Sequence, residues 1–252
     1  MKLTGNTILI TGGGSGIGRG LAEALHALGN QVVIAGRRKH ALDETTAANP
    51  GMKSLQLDLE NPAAIRTFAD QAIAEFPALN VLINNAGIMR PERLLAQQDL
   101  ADAEAIVTTN LLGPIRLTAA LLPHLEKQPH AAIINVSSGL AFLPMAVTPT
   151  YCATKAALHS YTESLRYQLR ATRIEVLELI PPYVATHLMG GADDPRAMPL
   201  DAFIAEVMEI LKTQLTPAEI VVENAKGLRF AAASGKYEAI FNGLNAAMAD
   251  IQ

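Results

Sequence analysis

The sequence is short of several things. It has one cysteine, Cys152, among 252 residues. That excludes an intrachain disulfide and a cysteine-rich metal site. Charged residues make up 17% and the net charge is −4, and no run of Lys or Arg exceeds Arg37-Arg38-Lys39. A nucleic-acid surface is therefore not expected. No apolar run approaches the ~20 residues that span a bilayer. The N-terminus has no basic segment leading into a signal-like apolar stretch. The expectation is a soluble, cytoplasmic protein with neither membrane nor nucleic acid as partner. Internal repeats and low-complexity segments are absent, and the six histidines have no metal-ligand spacing.

What is present is a well-buried composition, half of it apolar. Short apolar runs alternate with longer amphipathic stretches. Strands are expected at 7–10, 31–35, 53–57, 81–83, 132–136, 174–179 and 220–222. Helices are expected from the glycine stretch to Leu28, then at 40–48, from Asn61-Pro62 to Phe76, and at 102–126, 150–170, 201–212 and 237–249. This β-α rhythm with nearly continuous apolar strands predicts an α/β fold. It would be one doubly wound, Rossmann-type parallel sheet of about seven strands, helices on both faces. No composition break divides the chain, so one domain over 1–252 is expected, with a mobile loop region at about 187–215.

The stretch Thr11-Gly12-Gly13-Gly14-Ser15-Gly16-Ile17-Gly18 joins the first strand to the first helix. Glycines let the backbone turn sharply and let a pyrophosphate approach. The first-turn N–H groups then face the anion. The spacing is G-x-x-x-G-x-G rather than G-x-G-x-x-G. Taken alone, it also reads as a flexible glycine loop. At the end of strand two, where an acidic residue takes the ribose 2′-hydroxyl of NAD, stand Gly36, Arg37 and Arg38. A guanidinium pairs with a 2′-phosphate, so Arg37 favours NADP(H) over NAD(H). Asp58, followed by Leu59, either accepts the adenine amino group or carries a helix N-terminal charge near Pro62.

Three features follow. Asn84-Asn85-Ala86-Gly87 ends strand four, Ser137-Ser138 ends strand five, and Tyr151 and Lys155 open the next helix. A separation of i and i+4 puts both side chains on one helix face. A tyrosine hydroxyl has an ordinary pKa of about 10 and is a poor acid at neutral pH. A neighbouring ammonium favours the phenolate, so Lys155 is expected to lower the pKa of Tyr151. Ser138 can hydrogen-bond a substrate carbonyl. Pro114 has no N–H, which deprives the Asn110 carbonyl of its i+4 partner. Either that carbonyl binds a relay water leading towards Lys155, or Gly113-Pro114 only kinks the helix.

Together, Thr11–Gly18, Asn84–Gly87, Asn110, Ser138 and the Tyr151/Lys155 pair resemble the short-chain dehydrogenase/reductase family, over roughly residues 1–190. The resemblance implies Tyr151 as general acid, Lys155 also holding the nicotinamide ribose, Ser138 orienting substrate and Asn110 in a proton relay. It implies cofactor contacts from Gly12, Ser15, Gly16, Ile17 and Gly18, and from Asn85, Ala86 and Gly87. Pro181, Val184 and Thr186 would add contacts at the nicotinamide end. One departure stands out: Pro182 occupies the family's usual glycine. Pro181-Pro182 and the ending Phe241–Asn245 are similar to a subgroup named after the lipoteichoic-acid D-alanylation operon. The family also implies a homotetramer or homodimer, packed through the helices at 102–126 and 150–170.

The substrate side is apolar. Leu140, Tyr183 and Leu188 are its expected lining, with Met189 beside them, while Phe142 and Met145 are lining or core. The reading is an NADPH-dependent carbonyl reductase, reversible as an alcohol dehydrogenase, acting on a hydrophobic ketone, aldehyde or secondary alcohol. Two alternatives remain: a 3-oxoacyl-thioester reductase and a non-catalytic NADP(H)-sensing regulatory protein.

Overall fold

The structure is a computed structural model and describes residues 1–96, 99–214 and 216–248, with only the backbone at 191–193. Two expectations touch positions outside the described residues: the end of the last helix at Ala249 and the end of the loop region at 215.

The elements are β1 (Thr7–Thr11), α1 (Gly16–Ala27), β2 (Gln31–Gly36), α2 (Lys39–Ala48), β3 (Lys53–Gln56), α3 (Pro62–Glu75), β4 (Leu79–Asn84), α4 (Ala101–Val107), α5 (Gly113–Leu125), β5 (Ala131–Val136), α6 (Pro149–Leu169), β6 (Ile174–Ile180), α7 (Leu200–Thr213), β7 (Glu219–Val221), α8 (Glu223–Arg229) and α9 (Tyr237–Ala247). The strands form one sheet in the order β3-β2-β1-β4-β5-β6-β7. All six pairings are parallel.

Strand side chains alternate between faces, and here both faces are covered. Ile8, Ile10, Ile34 and Ile83 pack with Leu21 and Leu25 of α1 and Phe203 and Val207 of α7. Leu9, Val33, Leu82 and Ile133 pack on the opposite side with Ile65 and Phe68 of α3, Leu117 and Leu121 of α5, and Leu165 of α6. The start of α3 is as its sequence dictates: Asn61 Oδ1 accepts from the N–H groups of Ala63 and Ala64, and Pro62 sits at the first position.

The expected helix at 102–126 is a composite. Between α4 and α5 lies a π-helical turn, Thr108–Leu112, immediately before Gly113-Pro114. Pro114 cannot donate an N–H, and the wider turn absorbs that defect. The whole run Ala101–Leu125 is long and apolar enough, by length and composition, to cross a membrane. No unbroken apolar run within it approaches the ~20 residues of a span; alanine, leucine, isoleucine and valine raise its average. In the fold it turns Ile106, Leu117, Leu121 and Leu125 into the interior.

Other differences are local. The short helix α8 was not expected. Within the expected loop, two short turns meet at a kink in 188–193, where Met189 and Gly190 have φ of 55° and 69°. The helix expected at 201–212 is present as α7, whose Phe203, Val207 and Leu211 are buried, so that part of the 187–215 region is helix.

The direction in which successive strands are added reverses between β1 and β4: β1 leads out to β2 on one side and β4 to β5 on the other. Such a switch point opens a crevice at the carboxyl ends of the strands, and ligands of open α/β sheets bind there.

Candidate active site

A cavity of ≈ 610 Å³ occupies that crevice. One end is walled by Arg37, Arg38, Asp58 and Leu59, the middle by Gly12–Ile17 and Asn85–Gly87, and the far end by Ser138, Tyr151, Lys155 and the 181–189 segment.

The glycine stretch is a tight cradle. Gly12 and Gly16 have φ of +70° and +53°. A Cβ at Gly12 would lie 2.9 Å from Ala86 Cα. Gly12 N–H donates to Ala35 O at 2.7 Å. Thr11 Oγ1 accepts from the N–H groups of Asn85 and Ala86 at 3.0 and 3.1 Å, tying the two loops together. Helix α1 begins at Gly16 with no side-chain cap and no acidic residue in its first turn. Free first-turn N–H groups over a surface with no Cβ in the way suit a pyrophosphate. The residues therefore fit a dinucleotide. Gly18, expected to touch the cofactor, does not line the cavity. It serves packing: a Cβ there would lie 2.3 Å from Gly12 O and 2.4 Å from Asn85 Nδ2.

At the end of β2 the two arginines differ. Arg37 Nη1 pairs with Glu60 Oε1 at 2.5 Å. Arg38 Nη2 donates to Ser15 Oγ at 2.9 Å and so faces the glycine cradle. Sequence reasoning singled out Arg37 and passed over Arg38. Its proximity to Ser15 spans 23 residues of sequence and has no local signal. Asp58 lines the cavity, and its Oδ1 accepts from Glu60 N–H at 3.0 Å. Leu59 is buried.

The catalytic candidates meet as expected. Tyr151, Lys155 and Ser138 are all buried and line one end of the cavity, with the Ser138 hydroxyl beside that of Tyr151. Lys155 Nζ donates to Val136 O at 2.7 Å and lies 5.6 Å from the Tyr151 ring centre. Burial holds the Lys155 ammonium down to about 8, with the Glu178 charge opposing. The Tyr151 hydroxyl is raised by burial, partly offset by Ser138. This corrects the expected depression by Lys155: the ammonium bonds the sheet, and desolvation of the phenolate dominates. Ser138 Oγ also accepts from Leu140 N–H at 3.1 Å.

Asn110 lies in the π turn and is fully buried. Its side chain is spent on Ile88: Ile88 N–H donates to Oδ1 and Nδ2 donates to Ile88 O, both at 2.8 Å. It holds the loop after β4 and does not itself line the cavity. Cys152 accepts from Met145 N–H at 3.3 Å, and burial pushes its thiol up, as fits a packing residue.

The far end is mostly apolar. Leu140, Met145, Tyr183 and Leu188 line it, joined by Leu228, Leu244 and Met248, which sequence reasoning did not place there. Met145 packs in a buried cluster with Tyr151, whereas Phe142 packs against His159 and the Arg229 guanidinium. Asn245 pins α9 over the site: its Oδ1 accepts from Ala146 N–H at 2.6 Å and its Nδ2 donates to Pro144 O at 3.3 Å. At the mouth, Tyr183 donates to Asp194 at 3.1 Å, and Arg196 pairs with the same carboxylate at 2.7 Å. Pro181, Val184 and Thr186, expected at the nicotinamide, line this same end of the cavity. The turn carrying Pro182 is pinned: Gly139 N–H donates to Pro181 O at 2.9 Å and Met198 N–H to Tyr183 O at 2.8 Å.

Behind the site, His159, Glu178 and Glu219 bring possible metal-ligand atoms within 4.8 Å of one another, which histidine spacing did not foretell. Arg229 already chelates Glu219 through two nitrogens, each at 2.8 Å.

The family model for short chain dehydrogenases matches residues 6–197. An uncharacterised oxidoreductase of Bacillus subtilis, DltE, is 41% identical over 252 residues, covering 97% of this chain and 98% of its own. The 3-oxoacyl-[acyl-carrier-protein] reductase FabG of Escherichia coli is 31% identical over 201 residues, covering 78% of this chain and 81% of its own. A short-chain dehydrogenase of Burkholderia cenocepacia, solved in complex with NADP, superposes with a TM-score of 0.81 at 26% identity, covering 97% and 99% of the two chains. The cradle, the buried tyrosine-lysine pair and these likenesses agree: the chain belongs to the short-chain dehydrogenase family and is an oxidoreductase of carbonyl or CH–OH groups that uses a nicotinamide cofactor.

Proposed function

We propose that the protein is an NADPH-dependent carbonyl reductase, reversible as an alcohol dehydrogenase, for hydrophobic ketones, aldehydes or secondary alcohols. The observation that carries this reading is the buried pair Tyr151 and Ser138 at the base of an apolar chamber continuous with the glycine cradle. Gly12, Ser15, Gly16 and Ile17 hold the pyrophosphate, Asp58, Leu59, Asn85 and Ala86 the adenosine half, and Gly87, Pro181, Val184 and Thr186 the nicotinamide half. Arg38 and Arg37 take the 2′-phosphate, which sets the preference for NADP(H).

When bound, NADPH supplies the hydride that reduces the carbonyl carbon. Ser138 donates a hydrogen bond to the carbonyl oxygen and aligns it with Tyr151. Tyr151, neutral because burial raises its hydroxyl, gives that oxygen its proton, leaving an alcohol. Lys155, cationic below about 8, stabilises the phenolate left behind. Asn110 keeps Ile88 and the loop after β4 in place, and its carbonyl is the relay's outlet to water. Leu140, Tyr183 and Leu188 exclude water from the reacting carbon.

The enzyme works in the cytoplasm as one domain, with 187–200 closing over substrate, and as a homodimer or homotetramer through α4, α5 and α6. A 3-oxoacyl-thioester reductase would need free basic charge at the entrance, and Arg196 there is taken up by Asp194. A pure sensor of NADP(H) would have no use for Tyr151. The test is NADPH consumption across aryl ketones, diketones, aldehydes and 3-oxoesters. Apolar ketones are expected to be turned over with NADPH preferred to NADH; exclusive use of 3-oxoacyl thioesters, or a preference for NADH, overturns the reading.

A further inference from the structure

Val136 closes β5, Ser137 and Ser138 follow it, and each of the three meets one side chain. Val136 O accepts from Lys155 Nζ at 2.7 Å. Ser137 Oγ donates to Glu178 Oε1 at 2.5 Å. Ser138 stands beside the Tyr151 hydroxyl. The first and third belong to the proposed chemistry; the second leads to a carboxylate that it does not use.

Glu178 is fully buried in β6, among Leu177, Leu179 and Ile180. Both oxygens are engaged, since His159 Nδ1 lies 2.8 Å from Oε2. A buried carboxylate is costly even when paired, and an apolar residue in its place is often as stable or more so. Its presence therefore calls for a reason other than stability. A nucleophilic triad is excluded by the order of contacts, because the carboxylate and not the imidazole meets the serine. A metal centre is disfavoured, because the Arg229 guanidinium already holds Glu219.

We infer that Glu178 is a positioning residue: through Ser137 it anchors the β5 end that presents Ser138 and Val136, and it supplies the buried negative charge that keeps Lys155 an ammonium. The inference rests on the roles proposed for Ser138 and Lys155. Burial depresses the Lys155 ammonium to about 8, and the Glu178 charge opposes that depression. The other titratable and charged groups around the pair are Tyr151, Cys152, His159 and Glu163 on α6, Glu219 on β7, Arg229 on α8, and Glu92, which binds the first turn of α6 through Thr150. Asp102 and Glu104 of α4 are exposed. The geometry joins the two groups: Lys155 and Glu178 bond adjacent residues, Val136 and Ser137, while Arg229 is engaged by Glu219.

The experiment follows the titration of Lys155 by NMR of the full chain carrying ¹³C at lysine Cε, its resonance assigned with K155M. In E178Q the midpoint is expected to fall by about one pH unit or more. In S137A, which removes the anchor and keeps the charge, it is expected to stay at the wild-type value. For the ketone turned over fastest in the panel, S137A lowers kcat several-fold at every pH with NADPH affinity unchanged, and E178Q moves the alkaline loss of kcat/KM to lower pH. An identical Lys155 midpoint in wild type and E178Q overturns the charge role. A wild-type kcat in S137A overturns the anchoring role, and this arm stands even if E178Q does not fold. Absence of turnover in the wild type with a shifted midpoint in E178Q would count against the proposed function and not against the electrostatic link.

Discussion

Lys155 Nζ is bonded to the Val136 carbonyl at 2.7 Å and stands 5.6 Å from the centre of the Tyr151 ring. The lysine is thus fastened to the sheet, and the phenol's proton is governed by burial and by Ser138. In the free protein Tyr151 is an acid holding its proton, the state a reductase needs at the start of its cycle. Tyr151→Phe is expected to lower kcat by about 10²–10⁴-fold, with NADPH affinity by fluorescence titration within twofold of wild type. Unchanged turnover would remove Tyr151 from the mechanism.

Lys155 also has a stability cost whose sign follows from its titration. Its ammonium is depressed in the fold to about 8 from an ordinary 10.5. Below pH 8 both folded and unfolded states carry the proton, and burying that charge destabilises the fold. Between pH 8 and 10.5 only the unfolded chain holds it, so the penalty fades as pH rises. Lys155→Met should be more stable than wild type at pH 7, on the order of 2–3 kcal/mol, by chemical denaturation. The advantage should shrink as pH climbs through 8 towards 10.5. A variant less stable than wild type at pH 7 would contradict this.

The two arginines at the end of β2 should separate under mutation. Arg38 faces Ser15 in the cradle, whereas Arg37 is held by Glu60. Arg38→Ala is expected to weaken NADPH binding by about tenfold or more and to leave NADH binding nearly unchanged. Arg37→Ala should have the smaller effect. Glu60→Gln releases Arg37 and should tighten NADPH. Calorimetry with both cofactors decides; equal losses for NADH and NADPH in Arg38→Ala would assign Arg38 to the cradle rather than to the phosphate.

Gly12 and Gly5 form a matched pair. Both have positive φ, +70° and +73°, but a Cβ at Gly5 meets nothing within 4 Å while one at Gly12 meets Ala86 Cα at 2.9 Å. Gly5→Ala should cost about 1 kcal/mol for the left-handed backbone alone. Gly12→Ala should cost about 2–4 kcal/mol and weaken cofactor binding as well. Thermal unfolding of the two variants side by side measures the difference.

Asn245 clamps α9 against the 144–146 loop beside Met145. Asn245→Ala should loosen the wall formed by Leu244 and Met248. The expected result is a several-fold rise in KM for the ketone with NADPH affinity retained. A wild-type KM would show that α9 does not shape the chamber.

Much of this was legible in local pattern. Six of the seven strands follow apolar runs, the exception being β3 with its sequence Lys-Ser-Leu-Gln, and the Asn61-Pro62 helix start is a matter of two adjacent residues. Tyr151 and Lys155 share a helix face because they are four apart, so their meeting with Ser138 needed only the right strand order. Contacts between distant segments were not legible. Nothing near Asn245 announces that it bonds Ala146, 99 residues away. Arg38 and Arg37 are indistinguishable until the fold brings Ser15 and Glu60 beside them. Gly18 looked like part of the anion cradle because spacing cannot tell a glycine that makes room for a ligand from one that makes room for Gly12. The depression expected at Tyr151 failed because helical spacing sets a neighbour's side of the helix but not which acceptor its ammonium chooses.

The π turn at Thr108–Leu112 makes this part of the chain sensitive to length. An α-helical residue advances the helix by about 100° of rotation and 1.5 Å. The wide turn is one extra residue inserted between α4 and α5, placed where Asn110 grips Ile88 from both sides at 2.8 Å. Losing any one residue between 108 and 112 would let the run close into an ordinary helix. Leu117 and Leu121 could then keep their place against the sheet only if α4 swung by a quarter-turn or more and took Asn110 off Ile88. Exchange of side chains along this helix is a graded insult; a single-codon deletion is a frame error in three dimensions.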